Sequence, residues 1–407
     1  MSTIQLNKIT TIPFQYNPKL PSSKSMSNRA LILHKLSNGR ITITNLSEAN
    51  DTKLLWNLLN SAETILNAED AGTTARFLTA YCCVVNQNAT ITGTERMKQR
   101  PIKPLVDALS NIGFNIQYTE KEGFVPVQIS ALEDWKNIKN EVEIEAGISS
   151  QFISALMMIA PILPKALTIN LKGNIVSEPY LELTLKMLKQ CKVEAKMSNK
   201  QIVIPSTLLA TTNFEIEADW TNAFYWIALV SLLPKSKILL PHLKLNSIQG
   251  DAKAIKFLNL FGVEAEQFPN GVQFKSNGFN FPTNIEVDFN FSSYPDLAQT
   301  FIVLCAAKNL RANFTGLSTL KIKETNRVEA MQQELKKCGV ELVETKDDYY
   351  KLSGSFHLPA LPISTYNDHR MAMSFAPLAA LGNITIENLE VVQKSYPDFW
   401  QQWQRLE

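Results

Sequence analysis

Of the 40 Lys and Arg residues in this 407-residue chain, some stand in short segments, several with apolar neighbours. Lys24 and Arg29 lie in PSSKSMSNRALIL, and Arg76 follows in DAGTTARFLTA. Arg96, Lys98, Arg100 and Lys103 crowd TERMKQRPIKP; Lys321, Lys323 and Arg327 occupy LKIKETNR; His369, Arg370 and Lys394 come near the end. A lone Lys or Arg is usually a solvated surface charge. The apolar surroundings of Arg29, Arg76 and Arg370 fit that reading poorly. Arg offers a fork for carboxylate or phosphate, and Lys a point charge whose pKa falls beside other cations. The chemistry indicated is capture of small anionic substrates. Two carboxylates accompany these cations, Glu324 between Lys323 and Arg327, and Asp296 after Tyr294-Pro295. A salt-bridge partner and an N-cap are the plain readings; beside so many cations, acid–base work is the other.

The elements that must position these groups are six helices that read as apolar nearly all round and hence buried. They are NRALILHKL, TTARFLTAYCCVV, SSQFISALMMIA, TNAFYWIALVSLL, DLAQTFIVLCAA and HRMAMSFAPLAAL. Each is entered through polar or charged residues: Lys24-Ser25, Asp70 to Thr73, Ser149 to Gln151, Asp219 to Thr221, Asp296, and Asn367 to Arg370. A helix start carries unpaired N–H groups and the positive end of the dipole, so a cation there is unfavourable until an anion offsets it. For one helix, simple N-capping explains the Ser, Asp and Asn residues. Six such starts, several with Arg or Lys in the first turn, favour anion binding. A second, amphipathic helix type alternates with the first, inside a unit of strand, polar loop, helix and strand that recurs six times. Gly113, Gly262 and Gly339 close three of these helices just before the next strand, where αL geometry favours glycine.

The length suits two domains, each able to bury a full core. A formal net charge of +2 argues against a nucleic-acid or membrane partner. Five cysteines without CxxC spacing read as reduced thiols of a cytosolic protein. The four histidines show no metal-ligand spacing, so no metal site is expected. The N-terminal MSTIQLNKITTIPFQYNP has no continuous apolar h-region and no arginine, and no signal or transit peptide is read from it. No stretch reaches the roughly 18 apolar residues of a membrane span. P-loop, GxSxG and HExxH motifs are missing from the sequence.

In chain order, PSSKSMSNRALIL, DAGTTAR, ERMKQRPI, SSQF, VSEPY, IKETNR, TYNDHRMAM and KSYPDFW resemble the 5-enolpyruvylshikimate-3-phosphate synthase family, from about Lys24 to Lys394. The resemblance implies a two-domain, inside-out α/β barrel of six βαβαββ repeats, three per domain. Residues 1–20 and 219–407 would form one domain and residues 21–218 the other, with crossovers near Pro21 and Ala218 and the active site in the interdomain cleft. It also implies the reaction: the enolpyruvyl group of phosphoenolpyruvate passes to the 5-hydroxyl of shikimate 3-phosphate, with release of phosphate. By the same resemblance, shikimate 3-phosphate would meet Ser25, Arg29, Ser149, Ser150, Gln151, Ser177, Tyr180, Asp296 and Lys323. Phosphoenolpyruvate would meet Lys24, Gly72, Arg100, Gln151, Arg327, Arg370 and Lys394. Asp296 is the expected base, and Glu324, relayed with Lys24, the expected acid. No cofactor is implied. The repeats would saturate both cores within one chain, so a monomer is expected.

Three positions depart from the family pattern: Ser22 stands for glycine, Asp70 for the usual asparagine, and Phe77 for proline. A charge at Asp70 would repel a phosphate near Gly72 unless it is turned away or paired with Arg76. Thr319 and Lys321 stand where other members often carry Asn and Arg. The sister transferase acting on UDP-N-acetylglucosamine typically has Lys-Asn at the first motif and commonly a loop Cys as acid. Here Lys24-Ser25 occurs, and TERMKQRP has no Cys. A non-catalytic phosphometabolite-binding protein would have no need of Lys24, Asp296 and Glu324 together.

Overall fold

The computed structural model describes residues 2–135, 137–279, 282 and 284–406. The chain divides into two compact units. One comprises Ser23–Ser47 and Asp51–Ile216; the other comprises Met1–Ser22, Glu48–Asn50 and Glu217–Glu407.

The first unit carries helices α1 (Lys24–Leu36), α2 (Asn50–Leu59, all but its first residue), α3 (Gly72–Val84), α4 (Lys103–Ile112), α5 (Ser150–Ile159) and α6 (Glu178–Gln190). Strand Ile65–Asn67 runs parallel to Ala89–Thr92, which pairs antiparallel with Val127–Ser130, and this in turn with Asn115–Tyr118. The same pattern joins Glu141–Glu145, Leu167–Lys172, Gln201–Ile204 and Lys196–Ser198. Ile41–Thr44 and Thr212–Glu215 form a parallel pair.

The second unit carries α7 (Trp220–Leu232), α8 (Ala298–Ala307), α9 (Arg327–Lys337), α10 (His369–Phe375) and α11 (Phe399–Trp403). Its two four-stranded sheets repeat that pattern. Phe14–Tyr16, Ser236–Pro241, Gly271–Ser276 and Val263–Phe268 form one. Glu286–Asn290, Arg311–Thr315, Tyr349–Gly354 and Val340–Lys346 form the other. Thr3–Leu6 pairs antiparallel with Ile384–Glu387.

Parallel neighbours need a crossover, and here the apolar helices supply it. α3, α5 and α8 each connect the two parallel strands of one sheet. Being covered all round, they carry buried residues on every face, as the sequence pattern requires. α4 is instead one-sided, burying Leu105, Val106, Ala108, Leu109 and Ile112.

Two helices differ from their sequence pattern. HRMAMSFAPLAAL is α-helical only to Phe375 and continues as a 3₁₀ turn over Ala376–Ala380. Pro377 has no N–H to donate, and its ring crowds the preceding turn. GDAKAIKFLNLF winds as 3₁₀ over Gly250–Phe261. Gly262 ends it at φ 69, ψ 35, and a Cβ there would strike Phe279 O, so glycine is required. Among the described residues no helix is long and apolar enough to cross a membrane.

Candidate active site

In the first unit, the starts of α1, α3, α5 and α6 meet. Arg29, on the second turn of α1, is almost fully buried. Its Nε donates to Thr184 Oγ1 at 2.8 Å, Nη1 to Ser25 O at 2.9 Å, and Nη2 to Ser154 Oγ at 3.1 Å and Tyr180 O at 3.4 Å. The rings of Phe77 and Tyr180 lie 5.6 and 5.9 Å from the guanidinium carbon, within cation–π range. Burial brings the Arg29 guanidinium down to about 10, so it remains a cation at neutral pH. These bonds link the second turn of α1 to the second turn of α5 and the first two turns of α6. Gln151 Nε2 donates to Thr73 Oγ1 at 3.2 Å, which links α5 to α3 at the same level. Four helix starts therefore share one end of the unit, and their dipoles favour negative charge there.

Ser149 caps α5 by accepting from Gln151 N at 3.3 Å, and Ser150 is buried as the first residue of that helix. Ser177 holds φ 56, ψ 38 in front of α6; a left-handed non-glycine residue is uncommon and points to a constrained turn. Lys24 Nζ lies 2.9 Å from Asp51 Oδ2, a buried carboxylate at the start of α2. Gly72 opens α3 behind Ala71, which supplies no side-chain cap. An added Cβ at Gly72 would strike Arg76 Nη1 and come within 2.8 Å of Arg100 Nη2. Both guanidinium groups thus pack against the helix start. Arg76 Nη2 donates to Pro101 O at 2.8 Å and Arg100 Nη1 to Asp70 O at 3.0 Å.

In the second unit, a network of charges joins the starts of α8, α9 and α10. Arg327, the first residue of α9, is 1% exposed and touches three carboxylates. Nε donates to Asp368 Oδ2 at 2.6 Å, Nη1 to Asp296 Oδ1 at 3.1 Å, and Nη2 to Glu324 Oε2 at 2.9 Å. Arg370 Nη2 donates to Asp296 Oδ2 at 2.9 Å, and its Nη1 to Tyr225 Oη at 3.4 Å. Lys323 Nζ is 3.8 Å from Asp296, and Lys394 Nζ 3.9 Å from Glu324. Four cations (Lys323, Arg327, Arg370, Lys394) thus face three carboxylates (Asp296, Glu324, Asp368) in these contacts.

Burial is the largest influence on Asp296 and raises its carboxyl, yet Arg370, Lys323 and Arg327 outweigh it and hold the group well below the usual carboxylate range. Burial alone would lower Arg327, but Asp368, Glu324 and Asp296 keep it above its ordinary value. Burial pushes the Tyr225 phenol up to about 12, so it stays neutral.

All the sequence-predicted site residues fall in these two units. Ser25, Arg29, Ser149, Ser150, Gln151, Ser177, Tyr180, Lys24, Gly72 and Arg100 lie in the first; Asp296, Lys323, Glu324, Arg327, Arg370 and Lys394 lie in the second. Other cations of the same motifs go elsewhere. Lys98 pairs with Glu120, Lys103 with Glu122 and Lys321 with Glu344, all at the surface, where such pairs contribute little. Sequence reasoning gave no role to Asp51, Thr184, Ser154, Tyr225 or Asp368. Asp368 had one legible signal, its place immediately before a cationic helix start. Among the described residues no group of three or more His, Cys, Asp or Glu side chains could hold a metal ion.

The model of the family described as EPSP synthase (3-phosphoshikimate 1-carboxyvinyltransferase) matches residues 57–403. The chain belongs to the EPSP synthase family. A relative from Bacteroides fragilis, named 3-phosphoshikimate 1-carboxyvinyltransferase, is 42% identical over 387 residues, covering 94% of this chain and 93% of its own. One of the same name from Photobacterium damsela subsp. piscicida is 32% identical, with all of both chains covered. The solved EPSP synthase of Acinetobacter baumannii matches with a TM-score of 0.74 at 19% identity, over all of this chain and 98% of that one. That likeness concerns the fold, which is the mixed α/β fold of EPSP synthases.

Two departures from the EPSP synthase pattern have a place in the structure. Phe77, at the family's proline position, is buried with its ring over Arg29. The Asp70 carboxylate accepts from Thr94 Oγ1.

Proposed function

We propose that this chain transfers the enolpyruvyl group of phosphoenolpyruvate to the 5-hydroxyl of shikimate 3-phosphate, on the route to chorismate and the aromatic amino acids. The observation that carries this is the pair of carboxylates, Asp296 and Glu324, set among Lys323, Arg327, Arg370 and Lys394. Anion binding alone needs the cations; a proton donor and acceptor are needed only for chemistry.

Both substrates carry a phosphate and a carboxylate, so the enzyme must overcome their mutual repulsion. Lys24, Gly72, Arg100, Gln151, Arg327, Arg370 and Lys394 hold phosphoenolpyruvate. Ser25, Arg29, Ser149, Ser150, Gln151, Ser177, Tyr180, Asp296 and Lys323 hold shikimate 3-phosphate. Asp296 takes the 5-hydroxyl proton as that oxygen attacks C2, and Glu324, with Lys24, supplies the proton at C3. The tetrahedral adduct then loses phosphate by C–O cleavage, and C3 gives up a proton to restore the double bond.

Asp296 is a weak base while Arg327 and Arg370 grip it. An arriving anion competes for the same two guanidinium groups, so binding of phosphoenolpyruvate releases Asp296 and raises its basicity. We read residues 1–20 with 219–407, and residues 21–218, as two domains of three βαβαββ repeats each, a reading supported by four sheets of one pattern. We expect a monomer in the cytoplasm, where the five buried cysteines stay thiols.

Phosphoenolpyruvate labelled with ¹⁸O at the bridging oxygen tests the chemistry. C–O cleavage places the label in the released phosphate, read by mass spectrometry. Unlabelled phosphate would mean P–O cleavage and would end this reading.

A further inference from the structure

Asp70 stands two residues before Gly72, at the uncapped start of α3. Its carbonyl accepts from Arg100 Nη1 at 3.0 Å, and its half-buried carboxylate accepts from Thr94 Oγ1. Thr94 Oγ1 also accepts from Met97 N at 3.3 Å, so the acid is anchored to the same loop that delivers Arg100. Arg76 and Arg100 crowd Gly72 closely enough to leave no room for a Cβ. Two guanidinium groups and a helix start make a strongly positive place, and a carboxylate fixed beside it must weaken that field.

We propose that Asp70 sets the anion affinity of the Gly72–Arg76–Arg100 cluster, lowering its hold on phosphate by charge alone while Thr94 keeps the carboxylate in place. The proposal rests on the reading of Gly72 and Arg100 as part of the phosphoenolpyruvate site, with Arg76 packed against them. Its consequence for that reaction is a looser grip on phosphoenolpyruvate and on the departing phosphate, with no contribution to the proton transfers. An asparagine keeps the shape and can still accept from Thr94, so Asp70→Asn isolates the charge.

Isothermal titration of phosphoenolpyruvate alone, and of inorganic phosphate alone, tests this on wild type, Asp70→Asn and Asp70→Glu. Asp70→Asn is expected to bind both ligands roughly fivefold more tightly, an advantage that shrinks at high salt. Asp70→Glu, which keeps the charge, is expected to stay within about twofold of wild type. Equal or weaker binding by a folded Asp70→Asn, tightening by Asp70→Glu, or no phosphate binding by any of the three overturns the proposal. Failure of turnover with shikimate 3-phosphate would overturn the proposed reaction and leave this binding comparison readable.

Discussion

The Asp368 carboxylate grips the Arg327 guanidinium through both oxygens, from Nε to Oδ2 at 2.6 Å and from Nη2 to Oδ1 at 3.2 Å. Its Oδ1 also accepts from Arg370 N at 2.9 Å, capping α10. One fully buried acid thus fixes the two arginines that the proposed reaction needs. Asp368→Ala leaves the buried Arg327 short of its closest partner, and breaking a buried pair costs about 3–5 kcal/mol. A lowered melting temperature and a raised KM for phosphoenolpyruvate should appear together. An unchanged melting temperature would show that the Asp296 and Glu324 contacts suffice to hold Arg327.

Asp296→Asn should separate chemistry from binding. Removing the base should lower kcat by roughly 10²–10⁴-fold. The same change frees Arg327 and Arg370 from a competing negative charge, so phosphoenolpyruvate should bind as tightly as before or more so. Steady-state kinetics with a direct binding titration checks both halves. Weaker binding at unchanged kcat would assign Asp296 to substrate positioning alone.

Asp251 offers a test by pH. It is buried at the start of the 3₁₀ segment and accepts from Thr221 Oγ1. Burial, the main cause, pushes its carboxyl up to about 7 from an ordinary 3.8, against the pull of the Thr221 bond. The folded protein therefore keeps this proton after the unfolded chain has lost it. Stability from this group is fully present below about pH 4, falls as pH rises, and is lost above about pH 7. Asp251→Asn cannot ionise, so its melting temperature relative to wild type should climb between pH 4 and pH 8. A difference that stays flat with pH would mean the carboxyl ionises normally.

The elements were legible where the signal is local. Apolar runs marked α5, α7 and α8 as buried, and Ser149, Asp219 and Asp368 cap the helices they precede. Glycine marked the end of the 250–261 segment, although its 3₁₀ winding has no signal in residue types. The side-chain partners were not legible, because they come from distant parts of the chain. Arg29 finds Thr184 155 positions away, and Arg370 finds Tyr225 145 positions away. Lys24 and Arg327 were recognisable as anion-binding types, yet Asp51 carried no signal and Asp368 stood only among the polar residues entering a helix, until packing set them against those cations. The position of Asp70 was visible from its motif, and its tie to Thr94 was not.

The proposed reaction is tested most directly by phosphate release from phosphoenolpyruvate with the purified protein, measured with shikimate 3-phosphate and, separately, with UDP-N-acetylglucosamine. The account predicts stoichiometric phosphate with shikimate 3-phosphate and none above background with the nucleotide sugar. Phosphate with the nucleotide sugar alone, or with neither acceptor, would contradict it.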